Sequence, residues 1–514
     1  MNTSANSRSA YSRRRFLCNL LSGAAALAIA PSLLHSETAL AGDPAEFARG
    51  LHEHPWLAGW RSVGAESLGP TTVELEGRLP AGFAGTLYRN GPAWTERAGF
   101  RYEHWFDGDG MAHGWRFGEG RVTHRGRMVA TPKFTRERKA GRFLYPTAGT
   151  TVPDTQAVRN NDDANTANTS VMTIDGRLFA LCEAGSAFEL DPDQLDTLGP
   201  VTWRPDLASL PFSAHPLVDR DGSVWNFGSV ALMGGAGLLI WHIGADGKLI
   251  SADIIETPVR GYLHSFAMTD QHLVFTLIPF AFAEGQGAFF RRLRFQDQQA
   301  LRVGVVAKHT PTVARWFEAE FAAIYHFGDA YERNGEIMMR AVQHPDIEEA
   351  RSPMHEAMNG HAGAHGGQGR LRELRLNLRS GTARWEETGF DGIEFPLFDP
   401  RTRGDRAAVL YAPTNEGEAS APYFNAVASL DARRGKRQVH RYGRDILAEE
   451  HVFVPRPGSS RAGNGWLVGT LLDSARGRSG IAVLDAQHVD RGPLAQAWLP
   501  YTFPLGFHGH FAAG

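Results

Sequence analysis

Short apolar or alternating runs, broken by turn residues about every ten to fifteen positions, fill the chain from Val73 onward. The run 171–174 leads through Asp175-Gly176 into 178–181, and Val218 leads through Asp219-Arg220-Asp221-Gly222 into 224–227. The run 239–243 ends at Asp246-Gly247 in the same way. Repeated strand–turn–strand units predict an all-β fold. A length of 514 residues suits one propeller of several four-stranded blades, whose radial repetition leaves only short edges. No exact repeat marks the blades, so periodicity does not count them. Two stretches interrupt the pattern. Residues 279–306 carry Phe280, Phe282, Phe289, Phe290 and Phe295 beside Arg291, Arg292 and Arg294. Residues 354–369 are rich in glycine and histidine (His355, His361, His365) and predict a mobile surface loop.

The first 41 residues follow a different pattern. Ser12-Arg13-Arg14-Arg15-Phe16-Leu17 resembles the twin-arginine export motif, an apolar run follows to Leu34, and Ala39-Leu40-Ala41 offers a cleavage site. The apolar run is shorter than the roughly 20 residues that span a bilayer, and Pro31 interrupts it. The expectation is a signal segment over 1–41, an exported protein of periplasmic destination, and one β domain over 42–514. Only Cys182 lies outside the signal, so the processed chain can form no internal disulfide. A hydrophobic share of 42% supports a large core, and a net charge of −3 gives no electrostatic case for nucleic acid.

Common catalytic motifs are missing. Asp107-Gly108-Asp109-Gly110 lacks the further ligands of a calcium loop and reads as a tight turn. His355-Glu356 with His361 fails the zinc-protease spacing. There is no nucleophile elbow, P-loop or dinucleotide fingerprint, which removes the usual hydrolase, ATPase and dehydrogenase readings.

Four histidines stand inside or at the end of apolar strand-like runs: His215 in Phe-Ser-Ala-His-Pro, His264 in Tyr-Leu-His-Ser-Phe, His326 in Ile-Tyr-His-Phe-Gly, and His508 in Leu-Gly-Phe-His-Gly. Neutral imidazole suits iron, zinc and copper. Ligands from distant parts of a chain can converge where strands meet a propeller axis. Taken singly, each is as readily a satisfied core histidine, and their spacing matches no local metal motif.

The wider pattern of motifs resembles the carotenoid cleavage oxygenase family. Leu87-Tyr88-Arg89-Asn90-Gly91-Pro92 and the run from His104-Trp105-Phe106-Asp107 to Met111-Ala112-His113 look like its signatures. The likeness continues in order through Ala167-Asn168-Thr169, the four histidine contexts, and Glu450-His451-Val452-Phe453-Val454-Pro455. It implies a seven-bladed propeller with loops and short helices doming over a metal centre. It also implies that His215, His264, His326 and His508 bind Fe(II), with His510 a rival for the last place. Three glutamates would fix the ligand rings, namely Glu183, Glu394 and Glu450, and Thr169 would lie beside the open coordination position.

The activity so implied is O2-dependent scission of a conjugated C=C bond into two carbonyl products, by a monomer needing no reductase or organic cofactor. Four neutral ligands leave the centre at 2+, which favours ferrous iron. The phenylalanine–arginine stretch resembles the place where relatives dip into membranes, so Phe280, Phe282, Phe289 and Phe290 are candidates for peripheral membrane contact. Two departures bear on function. Asp329 stands where the family usually has Asn and would add negative charge near the site. Members that cleave phenolic stilbenes grip the hydroxyl with a Tyr and a Lys, but the Lys position is Cys182 here and the Tyr position, near Ala148, is vacant. A thiol cannot replace an ammonium donor, so an apolar polyene is the expected substrate. A stilbene or phenylpropanoid alkene, a visual-cycle type of isomerohydrolase, a metal-free binding propeller and a calcium-dependent lactonase remain the alternatives.

Overall fold

The computed structural model describes residues 42–514 apart from 119, 232–234, 285–286, 347–353, 363–368, 408, 418–422 and 432–433. The expected signal 1–41 and His365 fall outside the described residues. Seven sheets form the blades of a propeller, and a two-stranded hairpin stands apart from them. In six blades the strand that opens the blade's run of consecutive strands lies at one edge of its sheet. These strands are Ser170–Ile174, Leu217–Val218, the broken pair Gly261–Tyr262 and Ala267–Met268, Ala323–Arg333, Leu397–Phe398, and Ile446–Pro455. In the remaining blade that place is taken by the last strand of the chain, Gly509–Ala513, which pairs with Gly85–Trp94.

The ring is therefore closed by exchange at both ends. The C-terminal strand completes the blade built from Ser67–Glu74, Gly85–Trp94, Asp109–Gly118 and Arg121–Met128. In return the short N-terminal strand Glu76–Gly77 pairs with Pro493–Trp498 at the outer edge of the last blade. Backbone hydrogen bonds thus tie the chain ends together, and neither terminal blade is left with an open edge beside its neighbour.

Burial explains why middle strands carry unbroken apolar runs. Gly465–Asp473 is buried at every position because it lies between sheet neighbours and under adjacent blades, whereas the edge strand Ala383–Asp391 is mostly accessible. A dome covers one end of the axis. Helix Pro44–Glu53 starts at Asp43, whose side chain accepts from the Ala45 N–H at 2.8 Å, with Pro44 in the first turn. The 3₁₀ turns Pro55–Trp60 and Trp105–Asp107 continue the dome. Trp56, Trp60, Trp105, Phe143 and Phe507 share its core with Ala357 and Met358. The last two correct the expectation of a mobile loop. Residues 354–358 are helical, and Ala357 and Met358 are fully buried beneath the dome.

Candidate metal centre

Each imidazole arrives at the start of an axial strand. His215 comes two residues before Leu217–Val218, His264 sits in the break between Gly261–Tyr262 and Ala267–Met268, and His508 immediately precedes Gly509–Ala513. His326 lies within Ala323–Arg333 where the pairing slips between Ile324 and Phe327, a bulge that re-aims a side chain. A second slip, between Ala448 and His451, turns Glu449 and Glu450 inward on Ile446–Pro455. The ligand-capable atoms of His215, His264, His326 and His508 all lie within 4.8 Å of one another, and the Nε2 atoms of His215 and His264 are 2.9 Å apart.

Three of the rings are held by carboxylates. Nδ1 of His264 bonds Glu183 at 2.9 Å, Nδ1 of His326 bonds Glu394 at 2.7 Å, and Nδ1 of His508 bonds Glu450 at 2.9 Å. A proton committed to the carboxylate at Nδ1 leaves a lone pair on Nε2. Nε2 of His326 is buried and has no hydrogen-bond partner among the described residues. An orphaned lone pair within reach of three other imidazoles fits a metal ion, because a buried acceptor without a partner is otherwise costly. Burial, reinforced by the neighbouring imidazoles, holds His215 well below the usual histidine range. Burial likewise brings His326 down to about 4 despite the pull of Glu394, so both rings are neutral at pH 7. Burial works against ionisation of Glu394 and Glu450. It is outweighed by His326 and His344 at the first, and by His508, Arg89 and the Gly509 N–H at the second, so both stay below the usual carboxylate range.

The carboxylates are themselves held, by residues that motif reading left without a role. Tyr262 donates to Glu183 at 3.1 Å. His344 Nε2 bonds the second oxygen of Glu394 at 2.7 Å. Arg89 bridges Glu449 at 3.0 Å and Glu450 at 3.3 Å. Arg89 was in plain view in the Leu87–Pro92 signature, but nothing local marks its partners, more than 350 positions away. Phe395, held at φ 50°, donates its N–H to Glu394 at 2.5 Å and lays its ring against His326 and His508, with centroids 4.9 and 5.2 Å away. Backbone in that region costs a non-glycine residue about 1–3 kcal/mol and persists where the surroundings demand it.

Thr169 sits beside His508, whose N–H donates to the Thr169 carbonyl at 3.3 Å, while the threonine hydroxyl donates to Asn168 at 3.0 Å. His510 is not among the converging imidazoles. The signature glycines allow backbone to approach backbone: a Cβ on Gly110 would lie 2.2 Å from the Ala167 carbonyl, and one on Gly91 would lie 2.4 Å from Gly506. Both contacts tie the first blade to segments leading to Thr169 and His508.

Two expectations need correction. Asp329 adds no uncompensated charge, because it is fully buried against Arg340 at 2.5 Å and accepts from the Ala407 N–H at 2.7 Å. Phe280 is 8% exposed and belongs to the core, so of the four phenylalanines only Phe282, Phe289 and Phe290 keep accessible surface. Phe290 also turns inward, its ring 4.9 Å from His104 and its N–H donating to the Ala148 carbonyl at 2.7 Å.

Four imidazoles from four blades, three of them braced by carboxylates, define a propeller built to hold one metal ion on its axis. The chain belongs to the retinal pigment epithelial membrane protein family, the carotenoid oxygenases, whose profile matches residues 60–513. It is 26% identical to apocarotenoid-15,15'-oxygenase of Synechocystis over 90% of this chain and 97% of that protein. It is 28% identical to lignostilbene-alpha,beta-dioxygenase isozyme III of Sphingomonas paucimobilis over 86% and 93% of the two chains. Isoeugenol monooxygenase of Pseudomonas putida is 26% identical over 85% and 93%. The crystal structure of cobalt-substituted Synechocystis apocarotenoid oxygenase superposes with a TM-score of 0.79 at 25% identity, covering 90% of this chain and 98% of that one. The enzyme class shared by these relatives, oxygenase, is that of this chain.

Proposed function

We propose that the protein is a non-haem Fe(II) dioxygenase that cleaves a conjugated C=C bond of an apolar polyene, a carotenoid or apocarotenoid, into two carbonyl products. The observation that carries the reading is the convergence of His215, His264, His326 and His508 with their ligand atoms inside 4.8 Å. Bound there, ferrous iron supplies a site at which O2 is activated, and the alkene and O2 together account for every atom and electron of the two carbonyls. Glu183, Glu394 and Glu450 hold the imidazoles in the tautomer that presents Nε2, and Arg89 offsets part of their negative charge. The aromatic surroundings, Phe395, Phe424 and Phe507 among them, exclude water and favour an apolar chain. Thr169, next to His508, shapes the side of the centre open to O2.

The wall that would grip a phenol supports a polyene over a hydroxystilbene. Cys182 is buried, its thiol donates to Asn165 Oδ1 at 2.9 Å, and burial pushes its pKa upward, so it offers no cation there. Residues 1–41 direct export by the twin-arginine route, with the domain over 42–514 acting as a monomer in the periplasm, and Phe282 and Phe289 meet a membrane surface. The test is to incubate iron-loaded protein with apocarotenals, carotenes and hydroxystilbenes under labelled dioxygen. Polyene cleavage with label in both products is expected. Rapid cleavage of hydroxystilbenes alone would overturn the substrate class, and label in one product would make the reaction a monooxygenation.

A further inference from the structure

Three tryptophans under the dome touch one after another between the metal centre and the surface. Phe507 immediately precedes His508, and its ring lies 4.4 Å from Trp105. Trp105 meets Trp60 at 5.5 Å, and Trp60 meets Trp56 edge to face at 5.8 Å. Trp56 in turn lies 5.8 Å from the ring of His54, which keeps accessible surface. All three indoles are buried. The turn Pro55–Trp60 supplies two of them and the turn Trp105–Asp107 the third.

Core packing alone does not account for indole at these places. Buried tryptophan N–H groups usually find an acceptor. Those of Trp60 and Trp105 are buried without a partner among the described residues. Phenylalanine would fill most of the same apolar volume without stranding a donor. What indole has and phenylalanine lacks is ease of one-electron oxidation, because its nitrogen feeds electron density into the ring. Rings in contact let an electron pass from one indole to the next.

We propose that Trp105, Trp60 and Trp56 form an electron relay that protects the metal centre when an oxidant reaches it with no alkene bound. The oxidant is a peroxide: the O–O bond of hydrogen peroxide breaks, and two electrons and two protons convert it to two waters. Trp105 gives up each electron, Trp60 refills Trp105, Trp56 refills Trp60, and a small thiol at the surface refills Trp56. Two thiols become one disulfide and release the two protons, so atoms and charge balance. Without the relay the oxidising equivalents stay beside His508 and attack the ligand rings. The inference rests on the proposed iron site and adds a protective activity to it.

The test treats iron-loaded wild type, iron-free wild type and iron-loaded Trp60→Phe with limiting hydrogen peroxide, without alkene or thiol. Oxidised residues are mapped by peptide mass spectrometry, and indole radicals are followed by freeze-quench electron paramagnetic resonance. In the loaded wild type, oxidation is expected at Trp56 and Trp60, with His508 spared and an indole radical present. In Trp60→Phe, oxidation of Trp56 should fall to the iron-free level while that of His508 rises several-fold. Added thiol should spare Trp56 in wild type, with one disulfide formed per peroxide consumed. Trp466→Phe removes another buried, unpartnered indole N–H, between the first and last blades, and should leave the wild-type pattern unchanged. An unchanged melting temperature in Trp60→Phe separates loss of the relay from misfolding. The same oxidation pattern in Trp60→Phe as in wild type, or equal oxidation of Trp56 without iron, overturns the relay and leaves the polyene reading standing. An iron-dependent pattern that shifts in Trp60→Phe, in a protein that cleaves no polyene, would sustain the relay and overturn the proposed substrate instead.

Discussion

Replacing Glu394 with glutamine tests whether the carboxylates are structural neighbours or part of the metal site. The carboxylate accepts from His326 Nδ1 and His344 Nε2, each at 2.7 Å, and from the Phe395 N–H at 2.5 Å. Glutamine keeps the shape but offers one acceptor oxygen and an NH2 group, so one imidazole must face a donor. If His344 turns away or adopts its other tautomer, the loss is local. If His326 does so, its Nδ1 no longer holds the proton and Nε2 ceases to present a lone pair. Leaving one buried partner unsatisfied costs about 1–3 kcal/mol, more where charge is involved. Changes to groups that orient metal-binding histidines typically cost about 10- to 100-fold in metal affinity. Glu394→Gln should therefore weaken Fe(II) binding by about 10- to 100-fold, measured by competition with a calibrated chelator. Glu394→Asp should fall between. Unchanged iron affinity together with unchanged turnover would refute the assignment.

Other consequences follow from the same structure. Removing iron with a chelator should abolish turnover and Fe(II) should restore it, whereas His264→Ala should bind no stoichiometric iron; a chelator-resistant activity would sink the metal reading. Arg340→Leu should destabilise the fold by about 3–5 kcal/mol by stranding Asp329, and Arg340→Leu with Asp329→Leu should recover much of that, as read by melting temperature. Gly110→Ala should fail to give soluble protein, since its Cβ would meet the Ala167 carbonyl at 2.2 Å. Burial lowers His113 to about 3, and His451 and His510 to about 4. Their folded values lie below the unfolded one near 6.5, so the unfolded chain binds more protons in between, and stability present above pH 6.5 drains away as pH falls towards 4. Melting temperature should drop steadily over that window, and less steeply in His510→Phe; a flat profile would contradict the burial of these rings.

Much of this protein was legible along the chain. Alternating runs and Asp-Gly turns specify strands because side chains alternate across a pleated sheet, and the family motifs pointed to blade number, the four histidines and the three glutamates. Single positions could not say which side chains meet. Arg89 reads as one residue of a signature until Gly509–Ala513 closes the ring and brings Glu449 and Glu450 to it. Asp329 reads as added charge until Arg340 is placed against it, and residues 354–358 read as loop until the dome buries Ala357 and Met358. Local composition determines strand, turn and face. Only the tertiary structure determines partners: Arg89 meets Glu449 across blades 360 positions apart, and Asp329 meets Arg340 only once the register of two adjacent strands in one blade is set, so whether a buried charge is paired depends on what the neighbouring strand or blade presents.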